Sequence, residues 1–594
     1  MDTIDTPRPE HPRPQFRRDD WVNLNGVWTF AFDPGKSGHE RGLQGSNGFG
    51  ENITVPFCPE SKLSGVEYTD FIEAMWYHRR IEVPESFRGK RVLLHFGGVD
   101  YLSEVYIDGH FVGRHWGGAV GFTHEISRFV SSGATHDLVV WVHDDVRSGV
   151  QPGGKQRSEF DFRRLRASYT RTTGIWQTVW MEAVDEASLE SVQIVPDIHT
   201  GSFLLIPRLR GGGESLSFRG RVVDEAGTTV STAQVPARAG GPCRLEIPDA
   251  RLWSPADPWL YELELEVVDG SEHVRDHVRS YAGLRETHLR GDQVYLNGEP
   301  LYQRLVLDQG YYPDGIWTAP SDEALRNDIE LSMRAGFNGA RLHQKVFEER
   351  FHYWADRLGY LTWGEFPSWG MRTTEPVSAR NFLSEWARAV ERDRNHPSII
   401  AWSPLNETRE IQADPPQHNR LHIDAYDLTK ALDPTRPVND ASGYIHVKTD
   451  LWTIHDYNQN PAGFASDIAP DDGVGVMRRY PEWEVDYEGQ PYLVAEFGGI
   501  LWIPPASSSY SEDSWGYGEG PKTEAEFYER LEGLVDAILS NKRICGYCYT
   551  QLTDVEQEQN GVYTYDRRVK LDMDRIAAIF RKTPQSRQTV EAHR

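Results

Sequence analysis

Acidic, amide and imidazole side chains stand at the ends of otherwise apolar runs in the second half of this chain. Asp308 follows LYQRLVL (301–307), His343 closes FNGARLH (337–343), and Glu365 closes GYLTWGE (359–365). Asn406 and Glu407 end SIIAWSPLN (398–406) and its next residue. His455, Asp456 and Tyr457 end WTIHDY (452–457), and Glu496 sits in YLVAEF (492–497). A purely structural strand end has no need of a carboxylate, because an unpaired buried charge is costly. Two carboxylates at strand ends suit glycoside hydrolysis. One, protonated, assists the leaving group; the other, ionised, attacks the anomeric carbon. Taken singly, each glutamate reads as a salt-bridge partner. As a set on successive strand ends, they read as a site. A separation of about 5–5.5 Å makes such a reaction retaining, and one of roughly 6.5–9.5 Å makes it inverting.

The elements that must position this set are legible from Val294 onward. Two more short runs, RPVNDAS (436–442) and CGYCYTQL (545–552), bring the strands to eight. Helix-like segments lie between them at 321–335, 347–358, 381–395, 416–432 and 523–540. The first opens with Ser321 as N-cap and acids in its first turn. Eight strands alternating with helices predict a (β/α)₈ barrel, whose functional groups collect at the C-terminal ends of its strands. An open doubly wound sheet is the alternative, but no glycine-rich phosphate loop follows the first strand.

Two β-rich regions precede the barrel. Residues 1–18, rich in Pro and Arg, read as an arm with little structure of its own. Residues 19–185 carry WYHRRIEV, KRVLLHFGG and HDLVVWVHDD, with Asp108-Gly109 as a hairpin bend, and predict an all-β sandwich. Residues 186–287 predict a second, smaller sandwich, and 288–594 the barrel.

The formal net charge of −26 over 594 residues speaks against nucleic acid and anionic membranes as partners. The N-terminal stretch shows no apolar signal core and no 18-residue apolar run occurs. Cys58, Cys243, Cys545 and Cys548 are too few for a disulfide framework and fit a reducing, cytoplasmic setting. Cys545 and Cys548 lie in an apolar, aromatic run that reads as a buried strand, without metal or redox role. The 19 Trp and 26 Tyr suit both large cores and stacking on sugar rings.

The stretches RNHPSIIAWSPLNE (394–407) and PYLVAEFGG (491–499) resemble the acid/base and nucleophile segments of glycoside hydrolase family 2, which holds β-galactosidases, β-glucuronidases and β-mannosidases. WVNLNGVWTFAFD (21–33), Trp76-Tyr77-His78-Arg79 and FGGVDYLSEVYIDGHFVGRHWGG (96–118) resemble its N-terminal sugar-binding jelly roll, and TRTTGIWQTVWMEAV (170–184) its closing strand. LWSPADPWLYELELEV (252–267) resembles the immunoglobulin-like middle domain, and VYLNGEPLYQRLVL (294–307) the lead-in to the barrel. The resemblance implies an exo-acting, retaining glycosidase with Glu407 as acid/base and Glu496 as nucleophile. It implies that Asn406 bonds the sugar 2-hydroxyl, that Tyr457 donates to Glu496, and that Arg341 and His343 shape the bottom of the subsite. Asp308, Glu365, His455, Trp502 and Thr550 complete the expected substrate-binding set. The family also implies homo-oligomers. WGEFPSWG (363–370) lacks the downstream Glu and His that bind magnesium in some family galactosidases, so no metal or other cofactor is expected.

Three departures bear on the sugar. Asp308-Gln309 stands where galactosidases and glucuronidases carry a basic-His-Glu run. The Asn-x-Lys pair that grips a uronic carboxylate is not evident in EQEQNGVYTYDRR (556–568), and Thr550 takes the place of a sugar-flooring Trp. Trp363, Trp369, Trp402 and Trp502 are the alternative platforms. The expected substrate is a glycoside or oligosaccharide ending in a neutral sugar, with a β-galactosidase-like activity leading. A furanosidase (β-D-galactofuranosidase or α-L-arabinofuranosidase), a β-glucuronidase or β-mannosidase, and a catalytically inactive carbohydrate-binding protein are the alternatives.

Overall fold

The computed structural model describes residues 6–158, 166–211, 215–237, 241–504 and 511–584. The first stretch, up to Asp20, forms no helix or strand beyond a bridge from Arg17 to Arg279. It is nevertheless held firmly. Arg8 donates to both oxygens of Glu348 in the barrel at 3.0 and 2.6 Å, and Arg18 bridges Glu182 and Asp276.

Two antiparallel sheets then close on one core. A six-stranded sheet orders Glu51–Val55, Gly26–Phe32, Ala74–Glu82, Thr135–His143, Leu102–Ile107 and His110–Trp116. A four-stranded sheet orders Trp21–Asn23, Val179–Val184, Arg91–Phe96 and Phe122–Glu125. Alternate residues meet inside, among them Trp28, Tyr77, Leu94, Val105, Val140 and Met181. Asp108 and Gly109 both take positive φ, 49° and 78°, and so make the tight bend that their sequence predicted. A smaller sandwich follows, with three- and four-stranded sheets between Ser188 and Ala282 packed on Phe203, Leu205, Phe218 and Leu265.

The barrel strands are β1 (Gln303–Asp308), β2 (Gly339–Leu342), β3 (Leu361–Glu365), β4 (Ile399–Ser403), β5 (Ala441–Ser442), β6 (Trp452–Asp456), β7 (Tyr492–Gly498) and β8 (Ile544–Thr550). Seven of them form one parallel sheet in the order 4-3-2-1-8-7-6. β5 fills the remaining gap, pairing in parallel with Leu405–Asn406 just beyond β4, while Trp402 bridges Val438. The fifth strand is therefore much shorter than RPVNDAS. Pro437 cannot donate to a ladder, and Asp440 turns its carboxylate to the N–H groups of Ala441, Val447 and Lys448.

The helices are α1 (Asp322–Arg334), α2 (Glu349–Leu358), α3 (Pro376–Asp393), α4 (Pro415–Leu432), α5 (Pro461–Asp467), α6 (Glu524–Ser540) and α7 (Met573–Phe580). Ser321 caps α1 as expected, its Oγ accepting from Ala324 N. α3 starts earlier than its apolar period implied, because Pro376 occupies the first helical position, where a missing N–H costs nothing. α5 and α7 span only 7 and 8 residues, too short for a clear periodic signal. Cys58, Cys243, Cys545 and Cys548 are all buried and free. Among the described residues, no helix is long and apolar enough to cross a membrane.

The jelly roll docks on the barrel through a buried acid. Glu385 of α3 accepts from Ala119 N at 3.1 Å, and a Cβ at Gly117 would stand 2.6 Å from its carboxyl carbon. Burial pushes its pKa up to about 7, against the pull of the Ala119 N–H. The folded protein thus holds this proton more tightly than the unfolded chain. That contribution to stability is complete below the ordinary carboxylate range and is lost as pH rises toward 7. Glu60, raised by burial to about 7, changes in the same direction. These two groups therefore contribute a fall in the thermal midpoint between pH 5 and pH 8, against the rise contributed by imidazoles such as His95 and His352, which burial keeps neutral. Glu385→Gln, which needs no proton, is expected to flatten part of that fall in calorimetry at the two pH values. An unchanged slope would remove Glu385 as a cause.

Candidate active site

The C-terminal ends of β2, β3, β4, β6 and β7 converge on one buried cluster. Arg341, in β2, is fully buried and donates in four directions: to Glu365 Oε1 at 2.6 Å, Ala495 O at 2.8 Å, Glu496 Oε1 at 3.0 Å and Asn406 Oδ1 at 3.1 Å. A guanidinium suits this task, since its donors fan out in one rigid plane. Glu365 also accepts from His343 Nδ1 at 3.2 Å, so β2 and β3 are tied twice.

Glu496 is held at both oxygens. Oε1 faces Arg341, and Oε2 accepts from Tyr457 OH at 2.5 Å. Burial works to raise its pKa, but His455 and Arg341 outweigh burial and hold the carboxyl well below the usual range. It is therefore ionised at neutral pH. Tyr457 is itself fixed. Its hydroxyl lies 3.1 Å from Thr550 Oγ1, and its ring stacks on Tyr517 with centroids 3.4 Å apart.

Glu407 stands across from it. Its φ of 49° is a left-handed conformation that a non-glycine residue adopts at a cost. Its N–H donates to Ser442 O at 2.9 Å, which secures the turn. Its Oε1 lies 2.7 Å from His455 Nδ1, and that same nitrogen lies 3.5 Å from Glu496 Oε2. Ser442 Oγ, 2.9 Å from His455 Nε2, fixes the imidazole. One oxygen of Glu407, one of Glu496 and a nitrogen of His455 all lie within 4.8 Å of one another. That spacing is shorter than the roughly 6.5–9.5 Å that inversion would demand.

Asn406 carries an unfilled donor. Arg341 bonds its Oδ1, which orients the amide, while the buried Nδ2 has no partner among the described residues. The half-buried Trp369 borders it, donating from Nε1 to Asn406 O at 3.2 Å.

The cluster thus unites Arg341, His343, Glu365, Asn406, Glu407, His455, Tyr457, Glu496 and Thr550. Two expected residues lie elsewhere. Trp502 packs in the barrel's hydrophobic core against Phe527, with ring centroids 5.9 Å apart. The apolar environment that burial there supplies is the ordinary fate of a Trp. Asp308 ends β1, but its Oδ1 accepts from Gly310 N at 2.9 Å. Burial and the neighbouring Asp328 raise its pKa to about 6, and it bonds none of the cluster's side chains. Trp363 and Trp402 are fully buried and bonded to Gln303 and Asp433, which leaves Trp369 as the available ring of the four. Sequence reasoning missed Tyr517 and Lys155. Tyr517 follows β7 in a polar, Gly- and Ser-rich stretch without periodic signal. Lys155 comes from the jelly roll, far away in the chain.

Tyr457→Phe should remove a charge-assisted hydrogen bond worth about 1.5–3 kcal/mol. If Glu496 is the attacking group, kcat falls roughly 10–150-fold while the circular-dichroism spectrum stays unchanged. Wild-type kcat in this variant would show that the bond does not matter to the chemistry.

A barrel that presents two close, unequal carboxylates at its strand ends belongs to a class of enzymes, the glycoside hydrolases. The chain belongs to glycosyl hydrolase family 2. The family's sugar-binding domain matches residues 22–149, its middle domain 210–285, and its TIM barrel domain 288–500. Among curated relatives, a β-glucuronidase from Paenibacillus borealis is 24% identical over 80% of this chain and 82% of its own length. A β-galactosidase from Thermoanaerobacter pseudethanolicus is 24% identical over 74% of this chain and 57% of its own. The fold matches that of a Ruminococcus gnavus β-glucuronidase solved in complex with D-glucuronic acid. Its TM-score is 0.78, at 20% identity, over 95% of this chain and 99% of that one.

Proposed function

We propose that this enzyme removes a terminal neutral sugar by double displacement, with Glu496 as nucleophile and Glu407 as acid/base. The observation that carries the reading is the unequal environment of two carboxylates within 4.8 Å. Glu496, ionised between Arg341 and Tyr457, attacks the anomeric carbon. Glu407 gives its proton to the glycosidic oxygen, and the leaving group departs. The glycosyl ester that results carries no charge at Glu496. Glu407, which has given up its proton, then serves as the base that activates water. Water attacks the same face, so configuration is retained. His455, within reach of both carboxylates, keeps them in register. The free Nδ2 of Asn406 suits the sugar 2-hydroxyl.

One observation favours a neutral sugar. The cations that follow β8 are already paired: Arg567 with Asp328, Arg568 with Asp566, and Lys570 with Asp554. A β-galactoside is the first substrate to test. The β-glucuronidase names of several relatives favour a second reading, a uronide. A panel of 4-nitrophenyl pyranosides and furanosides, including the β-glucuronide, separates them. Turnover of the glucuronide above every neutral sugar would overturn the neutral reading.

A further inference from the structure

Lys155 is an anomaly among the buried cations. It is 6% exposed, yet among the described residues its ammonium makes no hydrogen bond and no salt bridge. Elsewhere the chain satisfies such groups. Lys570 bonds both oxygens of Asp554 at 2.8 and 3.1 Å, and Lys345 bonds the carbonyls of Gly310 and Trp317 at 2.6 Å each. An ammonium has three donors, and among the described residues none of the three is filled from the protein.

Its surroundings explain how it is held. The Nζ atom lies 5.4 Å from the Trp369 ring centroid and 5.9 Å from that of Tyr169. Aromatic faces attract a cation but fill none of its donors. Tyr169 is fixed by its own hydroxyl, which bonds Glu558 and Gln309, and its N–H donates to Lys155 O at 2.8 Å. The loop that carries Lys155 is clipped to the barrel. Gly153 N and Gly154 N donate to Trp369 O, just beyond β3. Gly154 has φ +62°, and a Cβ there would stand 2.5 Å from Gln344 O. Only glycine fits so close an approach. The jelly roll thus lays this segment on the rim of the barrel with its lysine pointed inward. Lys155 acts electrostatically on both Glu496 and His343, which places its charge at the catalytic cleft.

The geometry points to Lys155 as a specificity-determining residue that donates to a hydroxyl of the terminal sugar. This rests on the proposed glycosidase reading, and it assigns to the jelly roll one direct contact with the substrate. The half-buried Trp369, beside both Lys155 and Asn406, gives the same sugar an apolar face. A hydroxyl of the neutral sugar proposed above fills one of these empty donors.

The test is a double-mutant cycle between protein and substrate. Its probes are the 4-nitrophenyl glycoside that the wild type cleaves fastest and the monodeoxy analogues of that glycoside. We expect Lys155→Met to lower kcat/KM for the parent about 10–150-fold, with an unchanged thermal midpoint. For one deoxy analogue, wild type and variant should be nearly equal, because the partner hydroxyl is gone. Lys155→Gln, which keeps a donor, should recover part of the loss on the parent alone. An equal loss on the parent and on every analogue would overturn the proposal, since Lys155 would then act only through Glu496 or the fold. No loss at all would do the same. Glu496→Gly, run alongside, keeps the two readings apart. If it turns over normally, the nucleophile assignment fails, whereas the Lys155 cycle is still decided by its own pattern.

Discussion

Glu496→Gly is expected to lose at least roughly 10⁴-fold in kcat and to regain turnover in azide, yielding a glycosyl azide of inverted configuration. The size follows from the role. Among the described residues no other carboxylate stands opposite Glu407 in position to attack: Glu365, the other acid of the cluster, is tied to both Arg341 and His343. The glycine variant leaves a hole beside Arg341 and Tyr457, which small anions can enter. Azide there attacks once, from the side that Glu496 occupied, and no ester forms. One displacement gives inversion, and product NMR reads it directly. An inactive variant that azide does not revive, or a retained product, would remove Glu496 from the nucleophile role. Loss of stability does not explain such a result if the thermal midpoint holds.

Much of this was legible in the chain. The barrel showed in the alternation of short apolar runs with capped helices, and the cluster in polar residues that end those runs. Asn406, Glu407 and Glu496 sit in motifs specific enough to mark them individually. What stayed hidden has physical causes. β5 could not be sized, because the side chains of Arg436 and Asp440 replace ladder bonds, and sequence period does not report that. Asp308 ends a strand as the functional residues do, but a local N–H captures it. Trp502 looked like a platform because its type suits sugars, and only tertiary packing reveals it as core. Lys155 is the sharpest case. Its importance lies in lacking a partner, and a missing contact across two domains leaves no trace in composition or spacing.

Glu407→Ala should divide substrates by leaving group. For poor leaving groups, such as a sugar or methyl alcohol, loss of general acid assistance costs about 10²–10⁴-fold. A 2,4-dinitrophenyl glycoside needs no proton to depart, so its first step should run near the wild-type rate. Its second step then lacks the base that activates water, the glycosyl ester accumulates, and a burst of dinitrophenolate precedes slow turnover. Azide accelerates this variant too, but by the opposite stereochemical route. Here Glu496 has already attacked once, and azide displaces it from the other face, so the product keeps the configuration of the substrate. The same reagent thus gives inverted product with Glu496→Gly and retained product with Glu407→Ala. No exchange of the two roles predicts that pair of outcomes. If Glu407→Ala lost equally on activated and unactivated substrates, His455, 2.7 Å from Glu407 in the wild type, would be the next group to test as proton donor.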